Sequence, residues 1–425
     1  MSVLENTVSA QLVQQEGEAV TFCREGSGFS YGLNWALAVK GVIVKDKAFK
    51  NLNSSQLHQK GATISESLSG LPVHIRGNVL GGTSEISKQQ FGKLLKQVTT
   101  HLSSVSDVYV HDGAIGSSSK CGTKVRVISD SPSAILSLSN ILWEVPSRAI
   151  SHDSCPLTVY VATSVSQGAV DAVGLGAQAN KGVIAADIER FSLVLCGKAF
   201  SDINATKEAL TTLSEPVIFA LGDLPLPAWL LVSGDSVILL FAPEDAIQSC
   251  VDQLASLDAG VVLSSQDAAP YFRTKKSAGA SLFKFPAAVV LATSDSSGTI
   301  PSISKLSPGQ AAYHLLAGYQ NGKFVPVYSR SPSPVNALEL AKAFLSKVKH
   351  EKTQSFTLKD NHISSFLVNV NEGEKSVTGK DLLALVHSAL SKNVPSFQPK
   401  GRDLERKYNS FLSRKFQEIP EEFSF

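Results

Sequence analysis

Short, continuous apolar runs in the second half of the chain constrain its fold more than any other feature. The clearest are SVILLFA (236–242), AAVVLAT (287–293) and SSFLVNV (364–370). Runs of this length without polar alternation predict strands that are buried on both faces. Amphipathic helices are predicted over 310–317, after Pro334 and near the end of the chain. Strands that alternate with helices in this way favour an α/β fold.

The first half repeats this alternation. Residues 1–85 are predicted to form short strands and turns, and a helix then begins at Ser87, with Gln90 completing a capping box. Further strands are predicted at 108–116, 124–130 and 157–164, with a helix at 134–142. The second half is predicted to begin with a strand at 191–197, a short helix through Lys207 and Leu210 and a strand at 217–222, and to contain another helix at 381–390. Residues 165–190 are rich in Gly and Ala, so we divide the chain into lobes 1–190 and 191–425.

Composition excludes several classes of function. The formal net charge of +2 over 425 residues argues against a dedicated nucleic-acid binder, which needs a concentrated basic surface. No run of about 18 apolar residues occurs, so no membrane span is expected. The five cysteines form no C-x-x-C pair, and no targeting peptide is recognised at the start. We therefore expect an intracellular, cytoplasmic protein.

Searches for catalytic motifs return little. No G-x-x-x-x-G-K-[ST] loop occurs, and the Gly26–Gly28 turn is interpreted as a plain loop. The nine histidines show no metal-ligand spacing, and the His-Asp pairs at 111–112 and 152–153 are interpreted as solvated turns. Ser117–119 lacks the context of a nucleophile, and Cys121 and Cys196 are expected to be buried, inert thiols. Arg273 with Lys275 and Lys276 favours a solvated loop over an anion site.

Three stretches nevertheless resemble the ATP-dependent phosphoenolpyruvate carboxykinases. The most specific is SDSSGTIPSISKLSPGQAAYHLLAGY (294–319). The positions that match the family there without a gap are Asp295, Gly298, Pro301, Ser304, Leu306, Gln310, Tyr313, His314, Gly318 and Tyr319. Residues 87–163 follow the family's order of elements, with Asp112 and Arg126 in strands, and FLVNVN (366–371) is similar to a family strand.

This resemblance implies a two-lobed α/β fold with an N-terminal α/β lobe and a C-terminal mononucleotide-binding-like lobe. The family converts oxaloacetate to phosphoenolpyruvate with ATP, magnesium and manganese, in the cleft between the lobes. Its phosphate-binding loop follows a strand that is similar to GDSVILL (234–240) here.

The departures from the family lie at the positions that carry its chemistry. Ile247 and Gln248 stand where the family has its phosphate Lys and magnesium Thr, and Glu244 and Asp245 add negative charge nearby. The position of the family's metal-binding His falls near Gly222 in this chain. The nearest equivalent of the family's substrate-binding Arg is Arg76. The six positions that we assign to a vestigial cleft are Ile247, Gln248, Lys305, Leu383, Phe200 and Thr206. We assign no catalytic residue, metal ligand or cofactor.

Three functional hypotheses remain. The first is a catalytically inactive protein that serves as a structural or interaction subunit and binds partner proteins of unknown identity. Its C-terminal basic helix and the tail EIPEEFSF (418–425) are candidate docking elements, unless they pack on their own domain. The second is a module that senses a nucleotide or anion through Lys305, Arg126 or the 273–276 cluster, without turnover. The third is an enzyme with altered chemistry.

Overall fold

A computed structural model describes most of the chain. The described residues are 19–21, 31–77, 85–117, 123–145, 156–165, 182–242, 244–247, 254–256, 258–273, 282–320, 323–325, 333–349, 363–372, 375–376, 379–391, 393–398 and 403–425. The predicted α/β class is confirmed, because helices and several sheets are both present. Among the described residues, no helix is long and apolar enough to cross a bilayer.

The first part of the chain builds a mixed sheet. Its strands are β1 (Ala19–Thr21), β2 (Lys47–Lys50), β3 (Val73–Arg76), β4 (Asp107–Ile115), β5 (Thr123–Ser129), β6 (Trp143–Glu144), β7 (Leu157–Ala162), β8 (Gly182–Asp187) and β9 (Ser192–Gly197). The order is β1-β2-β4-β5-β7-β9-β8-β3, with β6 beside β4. Strands β5, β7 and β9 are parallel, and β8 and β9 form an antiparallel pair. The sheet therefore extends past residue 190, and the lobe division stays a prediction.

In the described part of the chain, five helices and one 3₁₀ turn accompany this sheet. They are α1 (Tyr31–Val39), α2 (Ser54–Gln59), α3 (Lys88–Ser104), α4 (Pro132–Ser139), the 3₁₀ turn Lys198–Ser201 and α5 (Ile203–Ala220). The predicted capping box of α3 is confirmed, with Gln90 N donating to Ser87 Oγ at 3.2 Å and Ser87 N donating to Gln90 Oε1 at 3.1 Å. Phe91, Leu94 and Val98 are buried on one face of α3, as its periodicity predicts.

Two predictions of secondary structure are wrong. Residues 1–85 contain α1 and α2 besides short strands. Helix α1 is apolar on nearly every side, with Trp35 70% exposed, so it shows no amphipathic period. Residues 217–220 form the end of α5 and no strand, although Pro216 lies inside the helix. A short apolar run fits a buried helix end as well as a strand, and periodicity cannot separate the two.

The second part of the chain forms smaller sheets. Its strands are β10 (Leu224–Leu226), β11 (Trp229–Ser233), β12 (Ser236–Phe241), β13 (Val261–Leu263), β14 (Asp267–Pro270), β15 (Phe283–Lys284), β16 (Ala288–Thr293), β17 (Ile303–Leu306), β18 (Gly318–Gln320), β19 (Lys323–Val325), β20 (Ser364–Asn369), β21 (Asn371–Glu372) and β22 (Lys375–Ser376). Its helices are α6 (Glu244–Ile247), α7 (Pro308–Leu316), α8 (Ala337–Val348), α9 (Gly379–Ser391) and α10 (Asp403–Lys415).

A five-stranded sheet, ordered β11-β12-β16-β20-β17, contains the three apolar runs. Strands β12, β16 and β20 are parallel, as their burial on both faces predicts. Leu239 and Phe241 pack with residues of α7 and α8, whereas Ile238 and Leu240 pack with residues of α9. Alternate side chains of one strand therefore enter two separate cores.

The C-terminal elements pack on their own domain. Helix α10 buries Leu404, Tyr408 and Leu412. Beyond it, the Phe425 ring lies 5.4 Å from the His314 ring, between centroids, and Gln310 Nε2 donates to Phe425 O at 3.2 Å. Of the two interpretations left open for the tail, the structure supports packing on its own domain, because the Phe425 ring and backbone contact residues of α7.

Candidate functional site

The candidate site is the edge of the five-stranded sheet where the parallel strands β12, β16 and β20 end. Ligands of open α/β sheets bind at the carboxyl ends of such strands. Helix α6 begins three residues after the last residue of β12, at the position that the resemblance assigns to the phosphate-binding loop.

Ile247, at the end of α6, is 4% exposed. Its side chain belongs to an apolar cluster with Leu254 and with Leu382 and Val386 of α9. An ammonium group within this apolar cluster would be removed from water, which is costly. The described residues at this position therefore do not fit a nucleotide phosphate.

The ends of β16 and β20 are polar, but their polar groups bond to one another. Asp295 N donates to Asn369 Oδ1 at 2.9 Å, and Asn369 Nδ2 donates to the backbone oxygens of Asp295 and Ile300 at 2.9 and 3.1 Å. The Asp295 carboxylate accepts from Ser297 Oγ at 2.6 Å and from Ile300 N at 2.9 Å. Asp295 is a position that resembles the family, and here its hydrogen bonds help to close a turn at the strand ends.

The other predicted cleft positions do not converge on Ile247. Lys305 is exposed on β17, which lies three strand spacings from β12, or about 14 Å. Phe200 and Thr206 are buried, Phe200 in the core of the first sheet and Thr206 in α5. Leu383 lies within α9, and Gln248 lies outside the described residues.

The predicted anion-binding arginine is already paired. Arg126 Nε and Nη2 donate to the two carboxylate oxygens of Asp112 at 2.7 and 2.8 Å, and Lys50 Nζ lies 3.0 Å from Asp112 Oδ2. Burial alone would raise the pKa of Asp112, but the hydrogen bonds and charges of Arg126 and Lys50 bring it below its ordinary value. This geometry does not support an anion site at Arg126.

The interpretation of His111 and Asp112 as a solvated turn is also wrong. Both lie inside β4, where Asp112 is opposite Arg126 of β5. Burial lowers the pKa of His111 to about 4, so its ring is neutral at neutral pH. Adjacent polar residues inside an apolar strand give no sequence signal of their partner on the next strand.

Two further arginines that the sequence singled out, Arg76 and Arg273, are paired with carboxylates. Arg76, the nearest equivalent of the substrate Arg, has Nη1 2.7 Å from Asp187 and Nη2 2.6 Å from Glu189. Arg273 is paired with Glu144 at 2.9 Å, while Lys275, Lys276, His152, Asp153 and Cys121 lie outside the described residues.

The prediction of a buried thiol at Cys196 is confirmed, and burial raises its pKa to about 12.

Sequence reasoning did not find Glu215, a buried carboxyl in α5. Ser333 Oγ donates to its Oε2 at 2.6 Å, and burial raises the pKa of Glu215 to about 8. Its one sequence signal is a carboxylate inside an apolar stretch beside Pro216.

Within the described ranges, no group of three or more His, Cys, Asp and Glu side chains is close enough to hold a metal ion.

Comparison with known families agrees with the motif at 294–319. Residues 268–387, from β14 into α9, match the model of the phosphoenolpyruvate carboxykinase family in its ATP-dependent form. The match covers less than a third of the chain and shows what this segment is similar to. It does not include the strand and loop at 234–249. No curated protein matches the chain.

Proposed function

We propose that this protein is a catalytically inactive relative of the ATP-dependent phosphoenolpyruvate carboxykinases and serves as a structural or interaction subunit of an intracellular assembly. The observation that carries the proposal is the packing of Ile247 in an apolar cluster with α9. Phosphoryl transfer depends on positive charge and backbone donors around the phosphates. An apolar cluster supplies neither.

The polar groups beside that cluster support the same function. Asp295 and Asn369 use their hydrogen bonds to close the turn at the strand ends. A fold that is retained while its site is closed is suited to binding other proteins through its surface.

Ligand binding and turnover test the catalytic half of this proposal. With ATP, ADP or oxaloacetate and Mg²⁺ or Mn²⁺, we expect no carboxykinase turnover and a thermal shift below about 1 °C, because a ligand that binds the folded state stabilises it by mass action. A saturable shift or measurable turnover would contradict the proposal.

Ile247→Lys makes the test sharper. We expect this variant to lose stability without gaining a response to ATP, because its ammonium enters the cluster of Leu382 and Val386. Ile247→Met is the matched control, since a swap that conserves volume costs less than about 1.5 kcal/mol. An I247K protein that is as stable as I247M and responds to ATP would show that the site is open.

Native mass spectrometry of the protein purified gently from its own cells tests the subunit half. We expect a stoichiometric partner. A free monomer at all concentrations would count against the proposal.

A further inference from the structure

A groove of about 680 Å³ runs along the outer face of α10, bounded on its other side by Phe324 of β19. Helix α10 directs Leu404, Tyr408 and Leu412 into the core. The groove uses two neighbouring columns of the same helix, at residues 406, 410 and 414 and at residues 407, 411 and 415. It is therefore a surface that remains after the helix has packed on its own domain.

The side chains of the groove carry a concentrated positive charge. The four cations in its lining are Arg406, Lys407, Arg414 and Lys415. Asp403 lies 3.9 Å from Arg406 and is 94% exposed, so it compensates little of this charge. Within the described part of the chain, Lys407 and Arg414 have no ion-pair partner. The charge of the described lining residues therefore favours an anionic occupant.

The floor of the groove is aromatic. The rings of Phe324 and Phe411 are stacked, with centroids 4.9 Å apart and an interplanar angle of 15°. Both are partly buried against the core. Such a floor gains from contact with an apolar group, which a free phosphate does not have.

One face of each ring is already covered by the other ring, which favours a peptide over a nucleic acid. Phe324 and Phe411 cover each other, and Lys415 Nζ lies 5.9 Å from the centroid of Phe411. Single-stranded nucleic acids bind by stacking bases on open aromatic faces. The two stacked rings leave less open aromatic face for a base, whereas an aliphatic or aromatic side chain gains from contact with any exposed part of the rings.

We propose that this groove binds a short acidic segment of a partner protein that carries one aromatic or aliphatic residue. From Arg406 to Lys415 the helix rises about 13 Å, which matches about four residues of extended chain. Carboxylates pair with the cations, and the apolar side chain lies on the edges of Phe324 and Phe411. The inference rests on the proposed role as an interaction subunit and gives the chemistry of the partner.

A phage-displayed library of random heptapeptides tests the groove with the full chain as bait. The counter-selection bait is Lys407→Glu/Arg414→Glu, which reverses two exposed charges without touching the inward face of α10. We expect enriched peptides with at least two acidic residues around one aromatic or aliphatic residue. Enrichment of peptides without acidic residues would overturn the proposal. So would the absence of any peptide that binds the wild-type bait but not the Lys407→Glu/Arg414→Glu bait.

Affinity measurements on the best enriched peptide locate the binding. We expect Lys407→Glu/Arg414→Glu to weaken binding at least tenfold, and Ser410→Trp to weaken it by filling the groove without changing its charge. Lys93→Glu/Lys96→Glu on the exposed face of α3 is the matched control for net charge and should bind as wild type. Equal losses in the control and the groove variant would overturn the proposal, as would tighter binding of an eight-nucleotide single-stranded RNA or of inorganic pyrophosphate.

Carboxykinase turnover measured on the same proteins separates the two ideas. If the protein shows turnover and its groove binds peptides, only the proposal of an inactive enzyme is contradicted. If the protein shows neither turnover nor peptide binding at the groove, only the proposal of the groove is contradicted.

Discussion

Asp112 lies between Arg126 and Lys50, and it neutralises charge inside the first sheet. Asp112→Asn leaves the buried guanidinium without its carboxylate, so we expect the free energy of unfolding to fall by about 3–5 kcal/mol in urea denaturation. The control is Glu339→Gln, which breaks an exposed pair with Lys342 and should cost less than about 1 kcal/mol. Equal effects of the two substitutions would mean that the buried pair contributes no more than a surface pair.

Glu215 gives the stability of the protein a dependence on pH. Its ordinary pKa is 4.5, and burial raises the pKa in the fold to about 8. The folded state therefore holds a proton that the unfolded state releases between these values, so this contribution to stability is present below pH 4.5 and is lost as the pH rises to about 8. We expect Glu215→Gln to remove this part of the slope and to raise the thermal midpoint relative to wild type at pH 8 and above.

Glu339→Gln, on the exposed face of α8, serves as its control and should keep the wild-type slope. An unchanged slope in Glu215→Gln would show that the carboxyl is charged in the fold.

At the scale of elements, the tail packs closely on α7 because Gly309 of that helix has no side chain. A Cβ at Gly309 would overlap the backbone oxygen of Glu422. Lys349, just after α8, pairs with the Glu422 side chain and holds the same segment. We expect Gly309→Ala to cost about 1–3 kcal/mol, because the tail must move away from the helix.

In a chain that ends at Pro420, the same substitution should be neutral or stabilise by up to about 1 kcal/mol, because Ala is the better helix former. Chemical denaturation of the four proteins measures the coupling. Equal costs with and without the tail would show that Gly309 is needed for another reason.

At the scale of the whole molecule, β9 lies between β7 and β8 in the first sheet. A fragment 1–190 lacks β9, so β8 and β3 lose their connection to the rest of the sheet. We expect this fragment to be unfolded by circular dichroism and quickly degraded by protease. A fragment 1–222 retains β9 and α5 and should resist protease better. A protease-resistant 1–190 would support the lobe division at residue 190.

The sequence also determines less of the site than of the sheet. The runs that became β12, β16 and β20 were recognisable because burial on both faces leaves a continuous apolar pattern. The ends of those strands were recognisable through the motif that includes Asp295. The apolar packing of Ile247 was not predictable from the sequence, because its neighbours on α9 are more than a hundred residues away.

The sequence by itself determined the α/β class, the strands buried on both faces, the capping box of α3 and the likeness to phosphoenolpyruvate carboxykinases, because each depends on neighbours along the chain. Only the tertiary structure decided that residues 217–220 continue α5, that Asp112 is paired with Arg126, and that the tail packs on α7. These outcomes depend on contacts between residues that are distant in sequence, which no local pattern records.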